Sequence, residues 1–279
     1  MRRGILSRRA FAREVAGGVV GGGLAATLGP SGAAGVVRVL ARAGARHREV
    51  PVDAILFDAL PVFDPTPVAR AAEAVFPGRG AELIAVWRAR QFEYSWLRVA
   101  MHDYADFRQC TEDALRHAVA AVRLELTPAA VERLMAPWRA LPAWPEAGAA
   151  LEALRGAGLR LGLLSNFTPE MLEGSLHASG LAGAFDHVLS TDRARTFKPD
   201  PRAYRLGADA LRLPRERILF AAFAGWDAAG ATRFGYPTFW VNRRDAAAEQ
   251  LGVTAPLGTG RALTDLVAFM RAVARPRSS

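Results

Sequence analysis

The sequence predicts an α/β protein in which a parallel β-sheet carries helices on both faces and an all-helical segment is inserted after the first strand. Apolar runs of strand length alternate with Ala/Leu/Arg-rich segments of helical spacing over most of the chain. Residues 66–140 break this alternation, since they show helical patterns and no convincing strand. A chain of 279 residues, 51% of them hydrophobic, is long enough for a core with a smaller insert.

The predicted strands are almost wholly apolar, as expected for strands buried on both faces of a sheet. They are AILF (54–57), RLGLLS (160–165), HVLS (187–190), ILFAAF (218–223) and PTFWVN (237–242). Helical spacing in EAGAALEALRGAG (146–158) and PRAYRLGADALRL (201–213) indicates helices that cover the sheet. Four further helical patterns fill the long interval after the first strand.

The first 50 residues carry most of the positive charge. They hold nine Arg against two Glu, which leaves a net +2 of the formal +9 for the rest of the chain. The twin arginine in SRRAFA (7–12), a Gly-rich apolar run and the small residues SGAAGV (31–36) follow the order of a twin-arginine export signal. We therefore expect a signal peptide at 1–35, a linker at 36–51, recognition by the twin-arginine export machinery, and a periplasmic or extracellular protein. The alternative interpretation is an unstructured basic tail.

Several functions are disfavoured by composition. No aromatic-and-basic stripe follows the N-terminal arm, so the charge does not indicate a nucleic acid partner. Cys110 is the single cysteine, which excludes an intrachain disulfide or a Cys-cluster metal site, and we expect it to pack as a small helix side chain. The histidines have no partners at metal-ligand spacing, so we expect no metal site.

Polar side chains follow four of the predicted strands. Asp58 comes directly after the first, Ser165 and Asn166 end the second, Lys198 lies shortly after the third, and Asp227 follows the fourth. Ligands of an open parallel sheet bind at the carboxyl ends of its strands. We therefore expect these side chains to converge at one edge, beneath the inserted helices, as an active site.

These motifs resemble the haloacid dehalogenase superfamily over residues 52–272, and within it the type II L-2-haloacid dehalogenases. The segment FPGRGAELIAVWRARQFEYSWLRVAM (76–101) is similar to that family's Pro-Gly-Arg-Gly, Trp-Arg and Glu-Tyr-x-Trp-Leu pattern, and LGLLSNFTPEML, FDHVLSTD, FKPDPRAY and GWDAAGATRFGYPTFWVNR continue it in order. The resemblance implies a Rossmann-like core at 52–65 and 141–275 and a helical cap at 66–140. It also makes a homodimer a further hypothesis.

The chemistry implied by the resemblance is hydrolytic dehalogenation of short L-2-haloalkanoic acids, with no cofactor or metal. Asp58 would attack C2 and form an aspartyl ester, while Lys198 would align its carboxylate by charge pairing. Arg88 would stabilise the departing halide and the substrate. Water would then release a 2-hydroxy acid with inverted configuration, with Asp227 orienting Lys198 and the water.

The remaining implied site residues bind the substrate or complete the pocket. Ser165 and Asn166 would hold the substrate carboxylate through hydroxyl and backbone N–H groups, and Tyr204 matches a family active-site tyrosine. Plainer interpretations exist for every site residue: an Asx turn at Asp58, a surface lysine at Lys198, a pair between Arg88 and Glu82, helix N-caps at Ser165, Asn166 and Asp227, and a core side chain at Tyr204.

The sequence departs from the family pattern at three polar positions. Val62 stands where the family has a threonine, after a loop one residue shorter, and Ala222 and Ala224 stand where it has a serine and an asparagine. One alternative function is a phosphatase of the same superfamily, but its second aspartate, which serves as general acid, is replaced by Leu60. The other alternative is a catalytically silent, exported carboxylate-binding protein.

Overall fold

A computed structural model describes residues 52–273 of the chain. Six strands form one sheet in the order β3-β2-β1-β4-β5-β6, and every pairing in it is parallel. The strands are β1 (Ala54–Phe57), β2 (Arg160–Ser165), β3 (His187–Ser190), β4 (Ile218–Ala222), β5 (Thr238–Val241) and β6 (Gly258–Gly260). The predicted α/β class and parallel sheet are confirmed.

Ten α-helices lie within the described residues. They are α1 (Ala59–Val62), α2 (Thr66–Val75), α3 (Gly80–Ala100), α4 (Phe107–Ala121), α5 (Pro128–Met135), α6 (Ala147–Gly156), α7 (Pro169–Ala178), α8 (Pro201–Leu211), α9 (Gly225–Phe234) and α10 (Leu263–Val273). Short 3₁₀ helices span Ala136–Arg139, Thr191–Ala194 and Arg215–Arg217.

The central strands are apolar because both faces of the sheet are covered. Successive side chains of a strand point to opposite faces. Ile55 and Phe57 accordingly pack in one apolar cluster, while Leu56 packs in a second cluster with Leu164 of β2. All four residues of β1 are fully buried, so this strand holds whatever follows it in a fixed position at the sheet edge.

The sequence patterns did not predict β6, which is a short edge strand of Gly, Thr and Gly. An added β-carbon at Gly258 would lie 2.8 Å from ring carbons of both Phe239 and Phe269. Glycine is therefore needed for close packing at this position, and it removes the apolar signal by which strands are recognised. The fourth and fifth strands also end one residue earlier than predicted.

Helices α2 to α5 lie between β1 and β2, as the sequence predicts, and contact the carboxyl edge of the sheet. The Trp96 indole N–H donates to the carbonyl of Lys198 at 3.0 Å. The Tyr104 hydroxyl donates to Asp192 at 2.8 Å, and the ring of Phe107 stacks on Phe167 with centroids 5.6 Å apart. These contacts place the inserted helices over the strand ends, while the boundaries of a cap at 66–140 and of the core at 52–65 and 141–275 stay predictions.

The predicted export signal at 1–35 and linker at 36–51 lie outside the described residues. Within residues 52–273, no helix is long and apolar enough to cross a membrane. Cys110 is fully buried in α4, which agrees with its interpretation as a packed helix side chain.

Gly174 is expected to be intolerant of a methyl group because α7 crosses the end of the inserted segment there. A β-carbon at Gly174 would overlap the backbone carbonyl oxygen of Arg139, whereas one at Gly148 in α6 would meet nothing within 4 Å. We expect Gly174→Ala to destabilise the protein by about 1–3 kcal/mol through overpacking. Gly148→Ala, the matched control, should be neutral or stabilising by up to about 1 kcal/mol. Thermal unfolding measures both, and equal melting temperatures would contradict the packing described here.

Candidate active site

Asp58 lies directly after the central strand, at the point where the strand order reverses between β1 and β4. Its backbone N–H donates to the carbonyl of Ala221 at 3.0 Å. One carboxylate oxygen, Oδ2, accepts from the backbone N–H of Leu60 at 3.2 Å and so caps the one-turn helix α1. The other, Oδ1, accepts from Lys198 Nζ at 2.8 Å. Asp58 therefore caps this turn, as its plainer interpretation expects, while its role as a nucleophile stays a prediction.

Lys198 is buried between two carboxylates. Its Nζ donates to Asp58 Oδ1 at 2.8 Å and to Asp227 Oδ2 at 2.7 Å, and the residue is 1% exposed. Burial lowers the pKa of Lys198, but the two carboxylates outweigh burial and raise its pKa above the ordinary value. Lys198 is the only lysine of the chain. A surface-lysine interpretation is therefore wrong.

Asp227 sits in the first turn of α9 beneath Asp58 and is also fully buried. Its Oδ1 accepts from the Tyr204 hydroxyl at 2.7 Å. Burial raises the pKa of Asp227 to about 6, against the opposing effects of Lys198 and the Tyr204 hydrogen bond. Asp227 is not the N-cap of α9, since that position is Ala224, which provides no side-chain cap.

Arg88 projects from α3 into the same site. Its guanidinium donates to Gln91 and lies 5.1 Å and 4.9 Å from the ring centres of Phe92 and Trp138. Gln91 in turn donates to Thr111, so a buried relay fixes the Arg88 side chain. Burial and the nearby charge of another arginine lower the pKa of Arg88 to about 9. The alternative pair of Arg88 with Glu82 is not made, and Glu82 pairs with Arg79.

Ser165 ends β2 and Asn166 directly follows it at the edge of the site, and both are buried. The Ser165 hydroxyl oxygen accepts from the Phe167 N–H at 3.2 Å, which leaves its proton for another acceptor. The Asn166 amide oxygen accepts from the backbone N–H of Lys198 at 2.9 Å. This bond does not use the Asn166 NH₂ group, which can donate to a ligand. Neither residue caps the following helix, because the N-cap of α7 is Thr168.

A cavity of about 270 Å³ opens above these side chains. Asp58, Arg88, Ser165, Asn166 and Asp227 line it, together with the apolar side chains of Leu60, Ala89, Phe92, Phe107, Phe167, Phe223, Ala224 and Trp226. Tyr204 and Lys198 do not line the cavity themselves. Lys198 contacts the lining carboxylate of Asp58, and Tyr204 contacts that of Asp227.

One lining residue, Arg244, was not singled out from the sequence. It lies three residues beyond the end of β5, and the rule that strand ends converge at one edge also applies to that strand. The signal was therefore available in the sequence.

The positions that depart from the family pattern line the site or lie beside it. Ala224 borders the cavity, Ala222 is fully buried at the end of β4, and Val62 is fully buried in the apolar core. Leu60 also borders the cavity, so no carboxylate stands two residues after Asp58. No group of three or more His, Cys, Asp or Glu side chains within residues 52–273 is arranged to hold a metal ion.

An α/β fold with a carboxylate at the end of its central strand and a buried lysine beside it can support a hydrolase that uses an aspartate nucleophile. A family profile described as haloacid dehalogenase-like hydrolase matches residues 32–235. The chain belongs to the haloacid dehalogenase-like hydrolase family.

Individual relatives cover most of the chain. The (S)-2-haloacid dehalogenase of Pseudomonas sp. (strain YL) is 40% identical over 193 residues, which are 69% of this chain and 83% of that protein. The L-2-haloacid dehalogenase RSc1362 superposes with a TM-score of 0.77 and 42% identity, over 79% of this chain and 99% of that one. The Xanthobacter autotrophicus L-2-haloacid dehalogenase, solved with chloropropionic acid covalently bound, has a TM-score of 0.73 and 33% identity, over 80% and 100% of the two chains.

Tyr204→Phe is expected to shift the acid limb of activity. The Tyr204 hydrogen bond lowers the pKa of Asp227, and removing it raises that pKa further above about 6. If the ionised Asp227 is the reactive form, activity rises as pH increases through this pKa, and the variant's rise should occur at higher pH. The pH profile of kcat measures this shift.

Tyr236→Phe is the matched control for Tyr204→Phe. The Tyr236 hydroxyl is buried and donates to the backbone carbonyl of Tyr204, with no contact to Asp227. Its removal also deletes a buried hydrogen bond, but the acid limb should stay in place. A limb that moves equally in both variants would mean that general destabilisation, and not the Asp227 carboxylate, sets it.

Proposed function

We propose that the protein hydrolyses the carbon–halogen bond of short L-2-haloalkanoic acids and releases 2-hydroxy acids. The observation that carries this proposal is the buried Lys198, which holds Asp58 and Asp227 together beneath a cavity that Arg88 also lines. The names of the relatives support the substrate class, and the covalent chloropropionic acid complex of the Xanthobacter protein supports an ester intermediate.

The first step uses the free lone pairs of Asp58. Lys198 fixes Oδ1, whereas Oδ2 accepts only one longer bond from Leu60, and the side chain is 14% exposed toward the cavity. An Asp58 oxygen attacks C2, the C–O bond forms as the carbon–halogen bond breaks, and the halide leaves with the electron pair toward Arg88. Attack from the side opposite the halide inverts C2. The Ser165 hydroxyl and Asn166 NH₂ groups bind the substrate carboxylate.

The second step hydrolyses the aspartyl ester. Asp227 accepts a proton from a water molecule that attacks the Asp58 carbonyl carbon, and Lys198 stabilises the oxyanion that forms on Oδ1. The tetrahedral intermediate expels the 2-hydroxy acid, which takes one proton, and the second proton of the water passes to solvent as the Asp58 carboxylate reforms. Ala222 and Ala224 offer no side-chain hydrogen bonds to that water, so we propose that ester hydrolysis limits the overall rate.

The test uses the purified full chain with L-2-chloropropionate and no added metal. Released chloride and the mass of the denatured protein are followed together. Steady chloride release with an ester adduct present at steady state supports the proposal with hydrolysis as the slow step. A single burst of chloride with a permanent adduct would show that the nucleophile works and that the ester is not hydrolysed. If chloride and adduct are both absent, the silent carboxylate-binding alternative replaces the proposal.

The site gives different support to the two alternative functions, a silent carboxylate-binding protein and a phosphatase. The alanines at 222 and 224 favour the silent binder, whereas the intact contacts among Asp58, Lys198 and Asp227 favour an enzyme. A phosphatase lacks support, because Leu60 occupies the place of its general acid.

Export and assembly are further proposals. We propose that residues 1–35 direct export by the twin-arginine machinery to the periplasm or beyond, on the strength of the SRRAFA pattern. We also propose a homodimer, on the strength of the family resemblance. Fractionation of cells that express the full chain tests the first, and the solution mass of the purified protein tests the second.

A further inference from the structure

Arg244 is a second arginine on the cavity, and the two steps proposed above leave it without a role. It is exposed, and its guanidinium lies 5.5 Å from the ring centre of Phe223. Among the described residues it makes no ion pair and no side-chain hydrogen bond. The neighbouring Arg243 differs, since it donates to Glu146 and to the carbonyl of Pro61 in α1, directly after Asp58.

Arg244 and Arg88 line the same cavity, and among the described residues Arg244 pairs with no acidic side chain. The charge of Arg244 is, after burial, the main cause that lowers the pKa of Arg88, while Asp58 opposes that effect. Two guanidinium groups that repel each other across a cavity are stabilised when an anion enters between them.

The charges change during the proposed reaction. Before it, Lys198 is shared by the carboxylates of Asp58 and Asp227. Once Asp58 has become a neutral ester, Lys198 is balanced by Asp227 alone. Two anions then occupy the cavity, the carboxylate of the bound acid and the released halide. The two arginines supply two positive charges, whereas Ser165 and Asn166 are neutral and orient the carboxylate without neutralising it.

The surroundings of the two arginines distinguish their ligands. Arg88 is partly buried between the aromatic rings of Phe92 and Trp138, which suits a small, weakly hydrated halide. Arg244 lies exposed at the cavity, where its planar pair of donors matches the two oxygens of an incoming carboxylate. On the basis of the proposed function, we propose that Arg244 binds the carboxylate of the 2-haloalkanoate and that Arg88 receives the halide.

The experiment measures the binding of the two anions separately by calorimetry, with no turnover. The probes are D-2-hydroxypropionate, the product acid expected after inversion at C2, and bromide, each titrated into the full chain. We expect Arg244→Gln to weaken the carboxylate by about 10- to 100-fold, the range for a lost hydrogen bond to a charged group, and to change bromide by less than about twofold. Arg244→Lys should recover part of the loss. Arg271→Gln, on an exposed position of α10, is the matched control and should bind both anions normally.

Three results would overturn the proposal: unchanged carboxylate binding in Arg244→Gln, weaker bromide binding in place of weaker carboxylate binding, or no carboxylate binding by the unmodified chain. Because neither titration requires chemistry, a protein that fails to release chloride can still show the Arg244 effect. Failure of the proposed function and failure of this assignment are therefore distinguishable.

Discussion

Asp58→Asn is expected to lower the rate of halide release by at least about 10,000-fold, the scale on which enzymes lose activity when their nucleophile is removed. The neutral amide is a poor nucleophile, whereas its carbonyl oxygen can still accept the Leu60 hydrogen bond that caps α1. The variant should therefore fold and keep the side-chain cap of α1. Chloride release and the mass of the denatured protein measure the effect, and no adduct should form.

Asp64→Asn is the matched control for the nucleophile. Asp64 is an aspartate six residues further along that accepts from the N–H and hydroxyl of Thr66 outside the cavity. Its substitution should leave halide release within a factor of about two. If Asp58→Asn retained more than about one hundredth of the activity, attack by Asp58 would be excluded.

Lys198→Met is expected to reduce activity by about 1,000-fold or more and to destabilise the protein at neutral pH. Methionine fills the buried volume but leaves the carboxylates of Asp58 and Asp227 facing each other without a cation. Removing one partner of a buried ion pair typically costs about 3–5 kcal/mol. The expected loss of activity follows because the Lys198 ammonium, a preorganised charged donor to Asp58, is removed.

The stability loss in Lys198→Met should depend on pH in a defined direction. Like charge and burial raise the folded-state pKa of a carboxylate above its unfolded value. The penalty is then present above that raised pKa and disappears as pH falls, because the folded protein takes up a proton. The variant should therefore lie closer to the unmodified protein at pH 5 than at pH 8 in thermal unfolding.

Two further variants separate the effect of the charge of Lys198 from the effect of its size and shape. Lys198→Met combined with Asp227→Asn should recover stability at neutral pH but no activity. Lys198→Arg should not restore activity, because the planar guanidinium cannot replace a compact ammonium that points to two carboxylates at 2.8 and 2.7 Å. An unaffected melting temperature in Lys198→Met at pH 8 would contradict the buried pair.

The sheet and the cluster of Asp58, Lys198 and Asp227 were predictable from the sequence because their signals are local. The first three strands have the predicted bounds, since strands buried on both faces are continuous apolar runs. Asp58, Lys198 and Asp227 follow strand ends, and the topology of a parallel sheet brings such positions together. The rule needs no knowledge of side-chain orientation.

Features that depend on side-chain orientation were harder to predict. The Gln91–Thr111 relay behind Arg88 joins two helices whose relative rotation no spacing rule fixes. The Thr168 cap of α7 competes in the sequence with Ser165 and Asn166, and only the backbone path decides which residue starts the helix. The edge strand β6 carries no apolar pattern at all.

The central claim is that the substrate becomes esterified to Asp58 and that water then attacks the protein carbonyl. A single turnover in water enriched in oxygen-18, with enzyme in excess over L-2-chloropropionate, tests it most directly. We expect the heavy oxygen in the peptide that contains Asp58 and none in the 2-hydroxypropionate. Heavy oxygen in the product with an unlabelled Asp58 peptide would mean that water attacks C2 directly, and it would contradict the ester mechanism.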